Sequence, residues 1–277
     1  MKILFGTAGI PLQCKGASSA EGIKCVRQLG LDAMELEFVH GVKMSEAAAR
    51  ECGEAAARER VSLSAHAPYY VNLVSEEAAK RSAGFKHVAE TCKALHYAGG
   101  GRAVFHAGFF QGRDAGKVFE EMREVFSQLT EFVEKETPSV VLAPEVTGKP
   151  SAFGSLDELL RLAKEFGLKR VNPCIDFGHL HARSNGGLKA KQDFQKVFEK
   201  VKGELGERGL QALHIHFTGI AFTEKGERNH LPIASNSPSP KFFAECLREF
   251  ECGGTVISES PLIEEDALAL KKLFERS

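Results

Sequence analysis

The sequence of 277 residues lacks any long apolar run, and this absence argues against a membrane span. A transmembrane helix needs about 18 or more consecutive apolar residues, and no stretch approaches that length. A charge excess of either sign is also missing, because 36 Lys and Arg residues stand against 37 Asp and Glu residues. Balanced charge argues against non-specific wrapping of nucleic acid. With 43% hydrophobic residues and a net charge of −1, the chain is expected to fold.

The cysteines form no C-x-x-C pair, and their number is odd. A disulfide framework or a thiolate zinc cluster would need closer and more regular spacing. We therefore expect small apolar residues with free thiols in a reduced, cytoplasmic protein. The seven cysteines are Cys14, Cys25, Cys52, Cys92, Cys174, Cys246 and Cys252.

Short β-rich runs alternate with longer amphipathic stretches along the whole chain. In the stretch AGKVFEEMREVFSQLTEFVEKE, for example, Val118, Met122 and Phe126 follow the spacing of one helix face. Eight such units of about 35 residues predict a single (β/α)8 TIM barrel over residues 1–277. A doubly wound open sheet is the alternative, but no G-x-G-x-x-G follows the first strand and eight units favour closure. The predicted strands are 2–7, 33–39, 62–67, 103–107, 140–146, 171–176, 212–217 and 255–260.

One connection, residues 218–239, shows no clear periodicity over about twenty residues. Irregular connections longer than about 12–15 residues in a compact domain are usually functional. This one follows the seventh predicted strand, so it would rise from the C-terminal face of the barrel. Barrel enzymes place their chemistry on that face. The sequence therefore predicts an irregular functional loop there.

Histidine, aspartate or glutamate occupies the end of six consecutive predicted strands. In a barrel these ends meet at one rim. Burying carboxylates and imidazoles together becomes favourable when divalent cations neutralise them. Nitrogen and oxygen ligands suit zinc, manganese or iron, and carboxylates that can bridge indicate more than one ion at the C-terminal face. The residues are His66, His106, Glu145, Asp176 with the nearby His179, the alternating pair His214 and His216, and Glu259.

Six short motifs contain these residues, and their order and spacing are more specific than any single motif. They are HAPYYVNL (66–73), FHAG (105–108), APEVTGK (143–149), DFGH (176–179), LHIHF (213–217) and SESP (258–261). Together they resemble the endonuclease IV family of apurinic/apyrimidinic endonucleases. Members of that family are (β/α)8 barrels, similar to sugar isomerase barrels, and carry a trinuclear zinc centre. The resemblance covers most of the chain.

The resemblance implies two or three zinc ions, with manganese as the alternative. Glu145 would bridge the first and second ions. The third ion would be held in part by the seventh loop, where this chain has Glu227-Arg228-Asn229-His230 in place of the family's Asp-x-His. The implied metal ligands are His66, His106, Glu145, Asp176, His179, His214, Glu227, His230 and Glu259, and the choice between His214 and His216 stays open.

A catalytic and a substrate-binding set complete the prediction. Tyr69 and Asn72 match an active-site tyrosine and a neighbouring asparagine of the family, and Glu145 would hold the attacking hydroxide. Positive side chains on predicted strand-to-helix loops would contact the substrate. They are Arg113, Lys149, Lys225 and Arg228.

The function implied by the resemblance is metal-dependent hydrolysis of the phosphodiester 5′ to an abasic site during base excision repair. The expected partner is double-stranded DNA with abasic sites, and we expect a monomer without membrane association. A one-metal sugar isomerase or epimerase on the same barrel is the first rival, although His66, His106 and His179 are surplus to its needs. A barrel that binds damaged or single-stranded nucleic acid without cutting it is the second rival.

Overall fold

Eight parallel strands of the computed structural model, which describes residues 2–276, form a nearly closed barrel. The twelve strands of the described chain are Ile3–Ala8 (β1), Ala33–Glu37 (β2), Ser62–His66 (β3), Arg102–Phe105 (β4), Gly108–Phe109 (β5), Val141–Pro144 (β6), Ala152–Phe153 (β7), Cys174–Asp176 (β8), Leu213–Phe217 (β9), Gly219–Thr223 (β10), Gly226–Leu231 (β11) and Gly254–Ser258 (β12). The barrel strands follow the order β6-β4-β3-β2-β1-β12-β9-β8. Parallel bridges from Leu142 to Val171 and from Glu145 to Cys174 bring the two end strands together. The predicted barrel is therefore confirmed.

A helix follows each barrel strand, so the outer layer repeats the strand–helix alternation predicted from the sequence. The helices of the described chain are Ser19–Gln28 (α1), Glu46–Glu59 (α2), Ala78–Tyr97 (α3), Ala115–Glu136 (α4), Leu156–Phe166 (α5), Phe177–Arg183 (α6), Lys191–Gln211 (α7), Pro240–Glu249 (α8) and Glu264–Glu275 (α9). The short α6 is an addition to the eight units and lies directly after β8. Within residues 2–276, no helix combines the length and apolar character needed to cross a membrane.

Helix α4 shows how local sequence produces these elements. The Asp114 side chain accepts a hydrogen bond from the Lys117 backbone N–H, which satisfies a free donor in the first turn. The predicted stripe of Val118, Met122 and Phe126 is fully buried against the sheet. Burial of this face gives α4 its position on the barrel.

A cluster of packed phenylalanine rings lies where β8 and β9 end. The ring centroid of Phe177 lies 4.9 Å from that of Phe243, and the centroid of Phe217 lies 4.4 Å from the same Phe243 ring. All three side chains are buried. Because Phe177 follows Asp176 directly, this packing fixes the start of α6 and the carboxylate that precedes it.

The connection over residues 218–239 is not irregular as predicted, because β10 and β11 form an antiparallel hairpin there. A bulge between Ala221 and Phe222 interrupts the register, and the turn ends at Gly226. The hairpin lies against the loop after β6, where a Cβ atom at Gly148 would stand 1.9 Å from Glu227 Oε2. Only β11 is mostly polar, and neither strand has a burial pattern that alternates along its length, so no period-2 signal is visible in the sequence.

Cys14 and Cys25 form a disulfide, so the expectation of seven free cysteines is wrong for this pair. The two cysteines are 11 positions apart in the sequence, and a 3-10 helical turn at Leu12–Cys14 precedes α1. The bond ties the loop after β1 to the first crossover helix. The five other cysteines are free and buried, as expected.

Replacing a buried ring of α4 tests the packing of the outer layer. Phe126 is fully buried, with its centroid 6.0 Å from Phe105 and 6.2 Å from Phe166. We expect Phe126→Ala to lower the free energy of unfolding by about 3–5 kcal/mol, because it removes apolar contacts and leaves a cavity. Urea unfolding followed by circular dichroism measures the loss. The control is Phe109→Ala, at a ring that is 37% exposed, and an equal loss in both variants would contradict this assignment.

Candidate metal centre

Titratable side chains converge at the C-terminal ends of the barrel strands, as the sequence predicts. Glu145, Asp176 and His216 have exposed fractions of 1% or less, so they lie inside the barrel mouth and not on its surface. Each is delivered by a different strand, because parallel strands end at the same rim. Six strands or their first following residues contribute His66, His106, Glu145, Asp176, His216 and Glu259.

The first donor group consists of His66, His106 and Glu145, whose ligand atoms all lie within 4.8 Å of one another. Glu145 Oε2 lies 3.0 Å from His66 Nε2 and 2.9 Å from His106 Nε2. His66 Nδ1 is 2.6 Å from the Ala67 carbonyl oxygen, so a proton on Nδ1 can be donated to that carbonyl. Nε2 then carries the lone pair and could bind a cation. The three side chains can therefore face one cation.

The second donor group shares Glu145 with the first and adds Asp176, His216 and Glu259. His216 Nδ1 lies 3.2 Å from Glu145 Oε1 and 3.3 Å from Glu259 Oε1. One oxygen of Glu145 thus faces the first group, and its other oxygen faces the second. This arrangement is the one that a carboxylate bridging two cations requires.

The structure places His216, and not the predicted His214, with Asp176 and Glu259. His214 lies deeper in the barrel on the same face of β9, where its Nε2 is 3.0 Å from Glu35 Oε2. A further donor group in the described chain joins His214 and His216 to Cys174. The alternation of β9 puts both histidines inside the barrel, but only the depth of each along the strand decides which one reaches the mouth.

His179, Glu227 and His230 lie together beside the second group, at the edge nearest the hairpin. His179 Nε2 is 3.3 Å from Glu227 Oε2, and the rings of His179 and His230 are 5.8 Å apart. The Val146 carbonyl lies 2.9 Å from His179 Nδ1, which leaves Nε2 directed at Glu227. Among residues 2–276 these three do not form a donor group as compact as the two above.

The sequence reasoning missed two acidic residues of β2, Glu35 and Glu37. Both point into the barrel, because alternate residues of a strand share a face. Glu35 is fully buried between His214 and His216, and Glu37 Oε2 accepts a hydrogen bond from the Tyr69 hydroxyl at 3.2 Å. The alternating glutamates of AMELE were the available signal.

The negative charge of the buried carboxylates is only partly compensated by neighbouring side chains. Burial would raise the pKa of Glu145, but His106 and His216 outweigh it and hold that pKa well below the usual range. Burial raises the pKa of Asp176 well above its usual value and that of Glu37 to about 8. Burial opposes the charged form of His66, yet the contact with Glu145 raises its pKa to about 9. The uncompensated carboxylates would be stabilised by added positive charge.

Unpartnered buried atoms show that the residues fit a set of cations. In the described chain, seven buried nitrogen and oxygen atoms of this region lack a partner with hydrogen-bond geometry. A buried polar atom without a partner costs free energy, which coordination of a cation would recover. The donors are nitrogen and oxygen atoms, as zinc and manganese accept. The atoms are Glu35 Oε1, Glu37 Oε1, His106 Nε2, Asp176 Oδ2, His216 Nε2, Glu227 Oε2 and Glu259 Oε2.

Of the remaining predicted residues, one lies at the site and two form hydrogen bonds within neighbouring loops. Tyr69 lies over His66, with ring centroids 4.7 Å apart. Asn72 Oδ1 accepts from the Val74 backbone N–H, and Arg113 donates to the carbonyl of Phe110, so both of these hold loops together. Neither residue lines the cavity in front of the metal donors.

A cavity of about 320 Å³ opens in front of the donor groups. Lys149 and Arg228 place positive charge on its wall, while Lys225 lies at the hairpin turn outside the cavity. Aromatic rings of Tyr69 and Phe109 form another part of the wall. The cavity therefore offers metal donors at its base and cationic and aromatic side chains at its sides.

The chain is similar in sequence to one protein family and to individual proteins. The model of the xylose isomerase-like TIM barrel family matches residues 23–273. An uncharacterized protein of Methanocaldococcus jannaschii is 37% identical over 98% of this chain and 97% of its own length. A protein of Clostridium botulinum named as a probable endonuclease 4 is 25% identical over 60% of this chain and 58% of its own length.

Solved structures of two enzyme types share the fold. A D-tagatose 3-epimerase-like protein aligns with a TM-score of 0.73 at 18% identity, covering 99% of this chain and 96% of its own. Endonuclease IV from Thermus thermophilus aligns with a TM-score of 0.72 at 16% identity, covering 98% of this chain and 100% of its own. These structural likenesses concern the fold alone. Because the family model spans nearly the whole sequence, the chain belongs to the xylose isomerase-like TIM barrel family.

Proposed function

We propose that the chain is a metal-dependent apurinic/apyrimidinic endonuclease that hydrolyses the DNA phosphodiester 5′ to an abasic site. The observation that carries this proposal is the position of Glu145 between two donor groups. Its Oε2 faces His66 and His106, and its Oε1 faces His216. Two cations about 3.5–4 Å apart are a standard device for in-line displacement at phosphorus.

The donor set also favours phosphodiester chemistry over a reaction that needs one cation. Asp176, His216, Glu259 and Glu145 would be enough for a single ion. His66 and His106 have no role in such a site, yet both bring a ring nitrogen within 3.0 Å of Glu145. The partial sequence similarity to a probable endonuclease 4 supports the same choice.

Two or three zinc ions, with manganese as the alternative, fit the three clusters of donors. When bound, such ions neutralise a phosphate and lower the pKa of a coordinated water toward neutrality. The first two clusters share Glu145, as described above. The third consists of His179, Glu227 and His230, and it is the least compact of the three.

The other side chains of the cavity would bind and orient the DNA. Lys149 and Arg228 would contact phosphate oxygens on either side of the reacting phosphodiester, because both line the cavity. Tyr69 and Phe109, at 41% and 37% exposure, present rings to the deoxyribose and its neighbours. An abasic nucleotide lacks the stacking and pairing that resist extrusion, so it enters such a cavity at the least cost. We propose a monomeric cytoplasmic enzyme whose partner is double-stranded DNA.

A sugar isomerase or epimerase is the second candidate. The four donors Glu145, Asp176, His216 and Glu259 would hold one cation against a hydroxy-carbonyl substrate, with two of the carboxylates available for proton transfer. The epimerase-like structural neighbour shares the whole barrel. A protein with one bound ion that turns over a sugar and leaves abasic DNA intact would establish this candidate instead.

Incision of a duplex with one abasic site tests the proposed activity directly. We expect the zinc-loaded protein to cleave 5′ to the lesion and a chelator-treated sample to be inactive. Glu145→Gln should lower kcat/KM by more than about 100-fold, because loss of a bridging ligand exceeds the 10–100-fold effect of residues that only support ligands. Gel analysis of the labelled strand measures both.

The control for incision is Glu249→Gln, which alters an exposed carboxylate of α8 and should retain full activity. A protein that holds two or three ions and leaves the duplex intact would overturn the endonuclease proposal. It would point to another phosphate ester or to binding without cleavage, and tight binding to abasic duplex would identify the latter.

The two histidines of β9 form a matched pair for metal content. We expect His216→Gln to retain at least one ion fewer than the parent protein, because His216 is the only nitrogen donor of the second group. His214→Gln should retain the parental number, since His214 contacts Glu35 at a deeper level. Elemental analysis after dialysis measures the ions per chain. The reverse result would return the ligand role to His214.

The salt dependence of DNA binding tests the cationic wall of the cavity. Lys149→Ala and Arg228→Ala should each weaken binding and reduce the slope of log K against log salt by about 1, because each removes one phosphate contact. Fluorescence anisotropy with an abasic duplex at several salt concentrations gives the slope. Lys202→Ala, on the outer helix α7, should leave the slope unchanged. Equal slopes in all four proteins would remove both residues from the interface.

A further inference from the structure

We propose a separate cation site below the barrel mouth, in which Cys174 binds an ion of the zinc or cadmium type together with His214 and His216. These three residues are called the inner donor group. They share His216 with the second donor group at the mouth. This sharing rests on the proposed metal centre, whereas the inner donor group itself is independent of the substrate and of the proposed activity.

The inner donor group lies where β8 and β9 run side by side. Cys174 is paired with His214 in the parallel register of these strands, and Asp176 is paired with His216. Because alternate residues of a strand share a face, Cys174 and His214 point into the barrel one step below Asp176 and His216. The three side chains of the group have exposed fractions of 2% or less. The site is therefore closed, as structural metal sites are.

The three side chains are close enough together to bind one ion. One ligand atom from each, including Cys174 Sγ, lies within 4.8 Å of the other two. The sulfur distinguishes this group from the two groups at the mouth, which offer nitrogen and oxygen atoms alone. Thiolate ligands favour zinc and softer cations, whereas carboxylate-rich sites also suit manganese. The inner donor group thus selects a different class of cation from the mouth.

Two buried atoms without hydrogen-bond partners point to a cation beside this group. His216 Nδ1 lies 3.2 Å from Glu145 Oε1 with hydrogen-bond geometry, and an ionised carboxylate only accepts, so Nδ1 is a protonated nitrogen. In the neutral ring the lone pair is then on Nε2, which has no hydrogen-bond partner in the described chain. Glu35 Oε1 lies 2.8 Å from Nε2, is not aligned for a hydrogen bond and is equally unpartnered. A cation next to both atoms would stabilise this contact.

The charges around the inner donor group match a divalent cation. Glu35 has no exposed surface, and its Oε2 lies 2.6 Å from Ser64 Oγ and 3.0 Å from His214 Nε2. Cysteine binds metals as the thiolate, so binding releases the thiol proton of Cys174 to solvent. The thiolate and Glu35 then carry two negative charges in an interior where unpaired charge is costly. One divalent cation neutralises both.

His216 serves one of its two donor groups at a time. A neutral imidazole has one proton and one lone pair on its two nitrogens. When a mouth ion binds Nδ1, Nε2 carries the proton. When an inner ion binds Nε2, Nδ1 keeps its proton and its hydrogen bond to Glu145. A cation that prefers sulfur therefore binds at the expense of one ion of the second donor group.

Ultraviolet absorption of the cadmium-loaded protein tests the inner donor group without reference to activity, because thiolate-to-cadmium charge transfer reports sulfur ligands alone. Metal-free protein is refolded with cadmium, so that access to the buried site does not limit binding. We expect a band with the amplitude of one cadmium–thiolate bond per chain. Cys174→Ser should abolish this band and keep the parental circular dichroism spectrum. His214→Gln should weaken cadmium binding at the band by at least about tenfold, because loss of a ligand exceeds the effect of a residue that only supports one.

Cys92→Ser is the matched control. Cys92 is a free cysteine of α3, is as fully buried as Cys174 and belongs to no donor group of the described chain. It should retain the parental band. If Cys174→Ser does not fold, the parental band, its weakening in His214→Gln and its retention in Cys92→Ser decide the question together.

The total number of cadmium ions per chain tests the sharing of His216. Elemental analysis at saturation should give the same number for the parent protein, Cys174→Ser and His214→Gln, because His216 then serves the second donor group instead. A number that falls by one in either variant would show that both groups hold an ion at once, and would refute the sharing.

Three results would overturn the inner site. They are a cadmium-loaded parent protein without a thiolate band, a band that persists in folded Cys174→Ser, and an equal loss of the band in Cys92→Ser. The proposed activity is tested separately. A thiolate band in a protein that leaves abasic DNA intact would refute the endonuclease and retain the inner site. Incision by the zinc-loaded protein, with no band on cadmium loading, would do the reverse.

Discussion

The Glu145 carboxylate lies within 3.3 Å of nitrogen atoms from four histidines, and the rest of the site is arranged around this contact. The four are His66, His106, His179 and His216. A carboxylate buried to this degree would be unstable without neighbouring positive or hydrogen-bonding groups. The imidazoles supply part of that stabilisation and still leave several carboxylate oxygens of the region unpartnered. Cations would fit this deficit, and the shared position of Glu145 would give them a common ligand.

The barrel stabilises this concentration of polar groups through contacts elsewhere in the fold. Its parallel strands end at one rim, so side chains that are far apart in the sequence meet there. Packed rings of Phe177, Phe217 and Phe243 hold the strands that carry Asp176 and His216. Below the rim, Glu35 links β2, β3 and β9 through hydrogen bonds and ion pairs. The polar centre is thus supported by apolar packing on its outside and by a smaller polar network beneath it.

Proteins that share this fold have different enzymatic activities. The structural neighbours include an epimerase-like protein and an endonuclease with nearly equal fold similarity. The fold therefore does not decide the reaction. The donor set supports the proposed endonuclease over a one-cation enzyme, because a four-residue group could serve one cation whereas His66 and His106 extend the same cluster beyond it. The hairpin β10–β11 adds Glu227, Arg228 and His230 at the edge of the cavity.

The barrel could be predicted from the amino-acid order, because eight alternations of β-rich and amphipathic segments are a local signal that each segment carries alone. The rim position of most donors could be predicted in the same way, since residues at strand ends share a rim. The choice between His214 and His216, the burial of Glu35 and the pairing of Cys14 with Cys25 became visible only in the folded chain. Each of these depends on depth along a strand or on contact between separate segments. Alternation along a sequence reports which face a residue occupies, and it contains no information about which partner lies across the barrel.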